Sequence, residues 1–339
     1  MRLLRNRIVC MLLLLCIGFT GTLAFVPTAT YACEKNAASS NETYSFNPHI
    51  CPSMLYEAYG EQYSSFFNLC DALREGKDTF ECASLSAYVG CMIGGVIEEF
   101  FPAAANCIEY IGPDGYSDGV GKIVYTIPKE DFIKREQAFE QKVEKVLREN
   151  VRKSDSDFEK CAALYKYMAD NYSYNLEEYE GLKSGVLDPS DYGVYRTFMD
   201  GKGICGSFST LYNYLLLQCG VDAYYFNDSG MNHAWSYVKV DGVGYHVDTT
   251  WKFTLNDFMT PSSVRMQNLV SNNINCDSFF PLFYFDDGPL DKPQFDFSAN
   301  DDRYAELRKG WNIISIDRER KVITYDSEDG VKEFAYGDL

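Results

Sequence analysis

Apolar and polar positions follow two rhythms along the 339-residue chain. Between residues 52 and 110, "PSMLYEAYGEQYSSFFNLCDALREG" and "CASLSAYVGCMIGGVIEEFFPAAANCIEYIG" place apolar residues three and four apart, which predicts helices. The second stretch contains Glu98 and Glu99, so it fits core helices better than a membrane span. "GKIVYTI" (121–127) is a short strand. Pro128 stands where a first helical turn begins, and "KEDFIKREQAFEQKVEKVLREN" continues as a charged surface helix. Ser156 and Glu159 form an S-x-x-E capping box. Behind them Phe158, Cys161, Ala162, Tyr165, Met168, Ala169 and Tyr172 draw one apolar face.

"LEEYEGLKSGVLDPSD" is expected to be a loop leading to "GKGICGSFSTLYNYLL" (201–216). There Phe208, Leu211, Tyr212, Leu215 and Cys219 recur at helical spacing, and Gly220 suits a helix C-terminus. Cys205 therefore opens a helix of about four turns. The rhythm then shortens to two in "DAYYFND" (222–228), "HAWSYVKV" (233–240) and "VGYHVDTT" (243–250), with Asp241-Gly242 as a two-residue hairpin turn. Residues 261–300 show little periodicity and are expected to be irregular. "GWNIISID", "KVITYD" and "KEFAYG" form a small antiparallel meander. The expected organisation is a leader (1–32), a helical N-terminal region (33–120), an α+β core (121–260), an irregular connection (261–300) and a β extension (301–339).

The leader changes how the rest is understood. "MRLLRNR", the apolar "IVCMLLLLCIGF" and the small-residue "TATYA" before Cys33 form the three parts of a secretory signal peptide. The apolar run is short for an uncleaved anchor. A lipid-modified Cys33 is a further alternative, but "TYAC" lacks the usual apolar residue three positions earlier. Export implies a secreted or extracytoplasmic location, with no transmembrane span after cleavage and with cell-wall or surface proteins as accessible partners. The net charge of -18 argues against nucleic acid or an anionic membrane surface. Of 12 cysteines, Cys51, Cys70, Cys82, Cys91 and Cys107 cluster, and disulfides are expected there. No C-x-x-C pair exists and the only histidines are His49, His233 and His246, so neither a zinc site nor another cofactor is expected.

Cys205 is the candidate nucleophile. Unpaired N–H groups and the helix dipole at a helix start favour a thiolate. Gly201, Gly203 and Gly206 leave the backbone bare, so a substrate carbonyl can approach and the Cys205 N–H can face an oxyanion. The hairpin supplies partners. With a two-residue turn, Val240 opposes Val243, Trp235 opposes Asp248 and His233 opposes Thr250. His233 and Asp248 then share a face as diagonal neighbours, which gives a base and its orienting acid. His246 lies on the same face and competes with His233; register alone leaves both open. Trp235 and Trp251 are core residues first, and Trp235 is also placed to shield the His233–Asp248 pair from water. Asn232 and His49 are read as bland.

"GKGICGSFSTLYNYLLLQCGVDAYY" followed by "NHAWSYVKVDGVGYHVDTTW" resembles the catalytic core of the transglutaminase-like superfamily, and "SDFEKCAALYKYMADNYSYN" resembles its lead-in helix. The resemblance covers roughly residues 155–253. It implies a papain-like α+β fold with a Cys-His-Asp triad at Cys205, His233 and Asp248, which resolves the histidine choice towards His233. Thr249 departs from the proline common in the family, at a position facing away from the triad. The resemblance further implies acyl transfer through a thioester. Peptide or amide hydrolysis is favoured over protein crosslinking, because the multiple β-sandwich domains and calcium loops of animal transglutaminases are missing. A non-catalytic cell-surface module is the third alternative, disfavoured because all three triad types are present.

Overall fold

The computed structural model describes residues 43–188, 191–230, 232–251, 254–274, 278–281 and 295–338. The leader, Cys33 and Cys276 lie outside them.

The N-terminal elements are α1 (Ser53–Arg74), β1 (Thr79–Glu81), α2 (Leu85–Cys91), α3 (Gly94–Phe100), β2 (Ile108–Glu109), β3 (Tyr116–Ser117), β4 (Val120–Lys122) and β5 (Val124–Tyr125). The helices are as expected, but a small β1-β4-β3 sheet and a β2-β5 ladder are interleaved with them. Cys70, Cys82, Cys91 and Cys107 are buried free thiols and Cys51 a half-buried one, so the expected disulfide cluster is not present. These sulfurs act as small core side chains. Burial pushes the Cys70 and Cys91 thiols up, and Cys82 and Cys91 give their S–H groups to the Ser84 and Gln62 carbonyls.

Two long helices follow, α4 (Lys129–Asn150) and α5 (Asp157–Asn171). The Ser156–Glu159 capping box is formed in both directions, at 3.2 Å and 2.7 Å. Next come β6 (Ser173–Tyr174), α6 (Leu176–Ser184), α7 (Val194–Asp200), β7 (Lys202–Gly203) and α8 (Cys205–Gln218). The segment expected to be a loop after residue 175 thus contains α6, whose start is capped by the Asn175 side chain and whose end is a left-handed Gly185.

The core sheet has the order β10-β9-β8-β11, built from β8 (Ala223–Asp228), β9 (Ala234–Val240), β10 (Val243–Val247) and β11 (Phe279–Pro281). The β9–β10 register pairs Val240 with Val243 and Ser236 with Val247, as the hairpin turn requires. Asp241 (φ 51°) and Gly242 (φ 81°) are both left-handed, the signature of a type I′ turn. Helix α8 lies against β8 and β9 and is buried from Ser207 to Gln218 on every face, rather than on one stripe. Its second face is covered by α3, α5 and α7, with Tyr212 donating to the Cys161 carbonyl at 2.9 Å. Fully buried leucines such as Leu211 and Leu215 contribute roughly 1.5–3 kcal/mol each.

Residues 261–300 are not wholly irregular. Pro261 precedes α9 (Ser262–Ser271). The C-terminal meander is β12 (Gly310–Asp317), β13 (Val322–Ser327) and β14 (Gly330–Ala335). It docks on the start of α5. Glu159 accepts from Lys321 at 2.8 Å and Tyr336 at 2.7 Å, and Arg318 grips Asp155 at 2.7 Å and 2.9 Å.

Candidate active site

Cys205 is the first residue of α8. Its N–H therefore has no acceptor within the helix. Ser207 accepts the Ile204 N–H at 3.0 Å and so fixes the entry turn. Cys205 is half-buried. Among the described cysteines only Cys51 shares that partial exposure, and the rest are buried. The glycines around it differ in purpose. A Cβ at Gly203 would stand 2.4 Å from Thr197 Oγ1 and 2.5 Å from Ser207 Oγ, so Gly203 is required by packing. A Cβ at Gly206 would meet only the Tyr225 hydroxyl, at 3.3 Å, so packing does not require a glycine there.

His233 enters just before β9, held by an acid outside the expected set. Asp228, fully buried at the end of β8, accepts the backbone N–H groups of Gly230, Asn232 and His233 at 2.9, 2.7 and 2.6 Å. One carboxylate thus shapes the turn that delivers the imidazole. His233 Nε2 meets Asp248 Oδ2 at 2.6 Å, the diagonal contact that the register predicts. An ionised carboxylate only accepts, so Nε2 carries the hydrogen. The Cys205 thiol is also within hydrogen-bonding reach of the ring, for which Nδ1 is the remaining nitrogen. Burial opposes an imidazolium here, but the Asp248 charge and the hydrogen bonds outweigh it and push His233 up to about 9. Asp248, although fully buried, is held well below the usual carboxylate range by the His233 and Arg265 charges and by the Thr250 N–H at 2.9 Å.

Arg265, on α9, is the residue that the sequence did not disclose. It is fully buried and spans two acids, with Nη2 on Asp248 Oδ2 at 2.8 Å and Nη1 on Asp257 Oδ1 at 2.6 Å. Its guanidinium carbon lies 4.4 Å from the centre of a Trp235 ring. The chain reaches it by turning after β10 and returning beside that strand, where His246 and Thr260 exchange two backbone hydrogen bonds of 2.9 Å.

The second histidine is structural. His246 is fully buried and its Nδ1 accepts the Trp235 indole N–H at 3.0 Å. Its Nε2 must then carry the hydrogen, which it gives to Ser262 Oγ at 3.1 Å. Burial first, and the Arg265 charge second, lower it to about 3, so it stays neutral. Trp235 stacks on His233 with centroids 6.1 Å apart, and half-buried Trp251 stands 6.0 Å from the same ring. Both indoles thus border the imidazole, and Trp235 covers its inner side. Thr249 is buried, Asn232 exposed, and His49 bonds Asp71 at 2.9 Å away from the site.

A buried helix carrying a cysteine at its start, laid on an antiparallel sheet carrying a histidine and an acid, defines an α+β papain-like arrangement. Residues 144–249, about a third of the chain, match the family model of the Transglutaminase-like superfamily. No curated protein sequence matches the chain. Among solved structures, one described as a TGase is 23% identical, with 37% of this chain and 34% of the other covered at a TM-score of 0.29. A candidate cysteine protease from Cytophaga hutchinsonii is 20% identical over 30% of this chain and 32% of its own, at 0.22. LapG of Legionella pneumophila is 15% identical over 40% and 70%, at 0.24. The matched part spans about a third of the length of the first two structures.

Proposed function

We propose that the protein is an extracytoplasmic cysteine-dependent acyl-transfer enzyme that hydrolyses peptide or amide bonds. The observation that carries this reading is His233, hydrogen-bonded through Nε2 to a buried Asp248 and within reach of the Cys205 thiol. In the proposed reaction the Cys205 sulfur attacks the carbonyl carbon of the substrate. The tetrahedral oxyanion is met by the Cys205 N–H. His233 holds the thiol proton at Nδ1 and passes it to the departing amine, leaving a thioester. Water then attacks the thioester, loses a proton to His233, and releases the acid and the free thiol. Asp248 keeps the hydrogen on Nε2 throughout. The extracytoplasmic location rests on the leader at residues 1–32.

Rate of iodoacetamide labelling against pH tests the site independently of any substrate. Cys205 is expected to be labelled faster than an ordinary thiol, and His233→Ala to abolish that advantage. Labelling of Cys205 no faster than an ordinary thiol would sink the proposal. Peptide-library turnover by wild type against Cys205→Ala then identifies the acyl group.

A further inference from the structure

A cavity of about 230 Å³ opens beside the entry turn of α8, and its lining includes Ile204 and Gly206 together with Glu98, Glu99 and Glu178. Helices α3 and α6 thus bring three carboxylates next to the residues flanking Cys205. Glu99 and Glu178 are 3% and 6% exposed. Glu98 is engaged by the Val194 N–H at the start of α7. Glu178 uses Oε2 on the Asn175 amide at 3.2 Å, and its carboxylate also faces the Gly193 N–H. Glu178 lines the cavity, and its buried Oε1 has no hydrogen-bond partner among the described residues. Backbone capping thus accounts for only part of this acid.

The charge balance points the same way. Arg135 is the cation acting on Glu98, and its guanidinium is spent on the Ala103 and Ala105 carbonyls and the Tyr195 ring. Among the described residues no cation acts on Glu178, and the single guanidinium near Glu98 is already shared with other partners. Burial accordingly pushes Glu98 up to about 7 and raises Glu178. Such groups relax when a cation enters, because a paired charge is far less costly to bury than a lone one. The volume is below the roughly 300–1,000 Å³ of a site for a drug-sized molecule, so it suits a single side chain.

We propose that this cavity is a specificity subsite that seats the ammonium or guanidinium of a lysine or arginine flanking the carbonyl presented to Cys205. The assignment of a carbonyl to Cys205 rests on the acyl-transfer reading; the cation site itself does not.

The test separates the two. Cys205→Ala protein is titrated with N-acetyl-lysine methylamide and with its Nε-acetylated form, followed by NMR. The charged probe is expected to bind, and the acetylated one to bind about tenfold more weakly, the difference between charged and neutral hydrogen bonding. Adding Glu178→Gln is expected to weaken the charged probe by a similar factor. Glu99→Gln serves as a second variant should Glu178→Gln misfold. The parent protein supplies a variant-free check. Glu98 sits among Glu178, Arg135 and Tyr192, and binding should weaken as pH falls through 7 and Glu98 protonates. Equal binding of both probes, or binding that neither glutamate variant weakens, overturns the subsite. In wild type, lysine- or arginine-flanked peptides should then be turned over fastest. Turnover without that preference rejects the subsite and keeps the acyl-transfer reading. Cation binding without any turnover keeps the subsite and rejects the acyl-transfer reading. If the glutamate variants lower only the incorporation of free amines, the flanking-side-chain assignment is rejected and the cation belongs to an amine acceptor.

Discussion

Replacing Arg265 with methionine removes the one cation shared by Asp248 and Asp257 while keeping an unbranched apolar stem of similar reach. In the folded protein the four charges of His233, Asp248, Arg265 and Asp257 form a chain of contacts at 2.6, 2.8 and 2.6 Å, and each side chain is buried. Without the guanidinium, two buried carboxylates share one imidazolium. Breaking a buried pair by removing one partner costs about 3–5 kcal/mol, and full burial places this site in that range. Asp257, already raised by burial, then takes up a proton and limits the loss. Arg265→Met is therefore expected to lower unfolding stability by about 3–5 kcal/mol in urea titrations, while Arg265→Met/Asp257→Asn is less unstable than the single variant. A positioning role also predicts a kinetic effect. The Arg265 charge opposes the His233 imidazolium. Its loss should move the alkaline limb of the activity profile upward from about 9, a shift that a purely structural residue does not produce. A stability change below about 1 kcal/mol, or a double variant worse than the sum of its parts, refutes the reasoning.

Asp228→Asn keeps the shape of the turn acid but removes the charge that holds three backbone N–H groups. Charge-assisted bonds are roughly twice as strong as neutral ones, so kcat should fall more than tenfold with KM little changed, as steady-state kinetics would show; an unchanged kcat rejects the role. His246→Gln can still accept from Trp235 and donate to Ser262, but it does not titrate. Because His246 is lowered to about 3 in the folded protein, protons bind the unfolded chain more tightly. Its contribution is present above its unfolded value of about 6.5 and is lost as pH falls from there towards 3. Wild type should therefore lose about 1.4 kcal/mol per pH unit relative to His246→Gln between pH 6 and 4 in denaturant titrations, and parallel curves refute the assignment.

The parts of this site that sequence made legible are those fixed by local chemistry. A glycine-flanked cysteine ahead of an apolar run places a side chain at a helix start. A two-residue Asp-Gly turn admits a single register, and that register alone puts His233 and Asp248 on one face. What stayed hidden depends on contacts across the chain. The run "PSSVRMQNLVS" has a proline ahead of a short helix, which was available as a start signal, but nothing local marks Arg265 as its buried residue. Asp228 looks like any turn acid until its three N–H partners are seen. The clustering of five cysteines at 51–107, together with an expected export, suggested disulfides, yet a core this large accepts the thiols as apolar side chains. Register likewise offered no choice between His233 and His246. Packing supplies it, because His246 is enclosed by Trp235, Ser262 and Arg265, whereas His233 alone of the two meets both an acid and the thiol.

Glu98 and Glu99 join these two levels. In the sequence they served only to show that an apolar stretch was not a membrane span. In the fold they lie on α3, outside the matched residues 144–249, and face the entry turn of α8 that lies within them. The helical N-terminal region therefore does more than cover the second face of α8. It brings Glu98 and Glu99, which lie outside the matched residues, to the cavity that Ile204 and Gly206 line. If the proposed acyl transfer selects a cationic side chain, these N-terminal carboxylates take part in that choice, and exchanging α3 residues should alter selectivity without touching Cys205, His233 or Asp248.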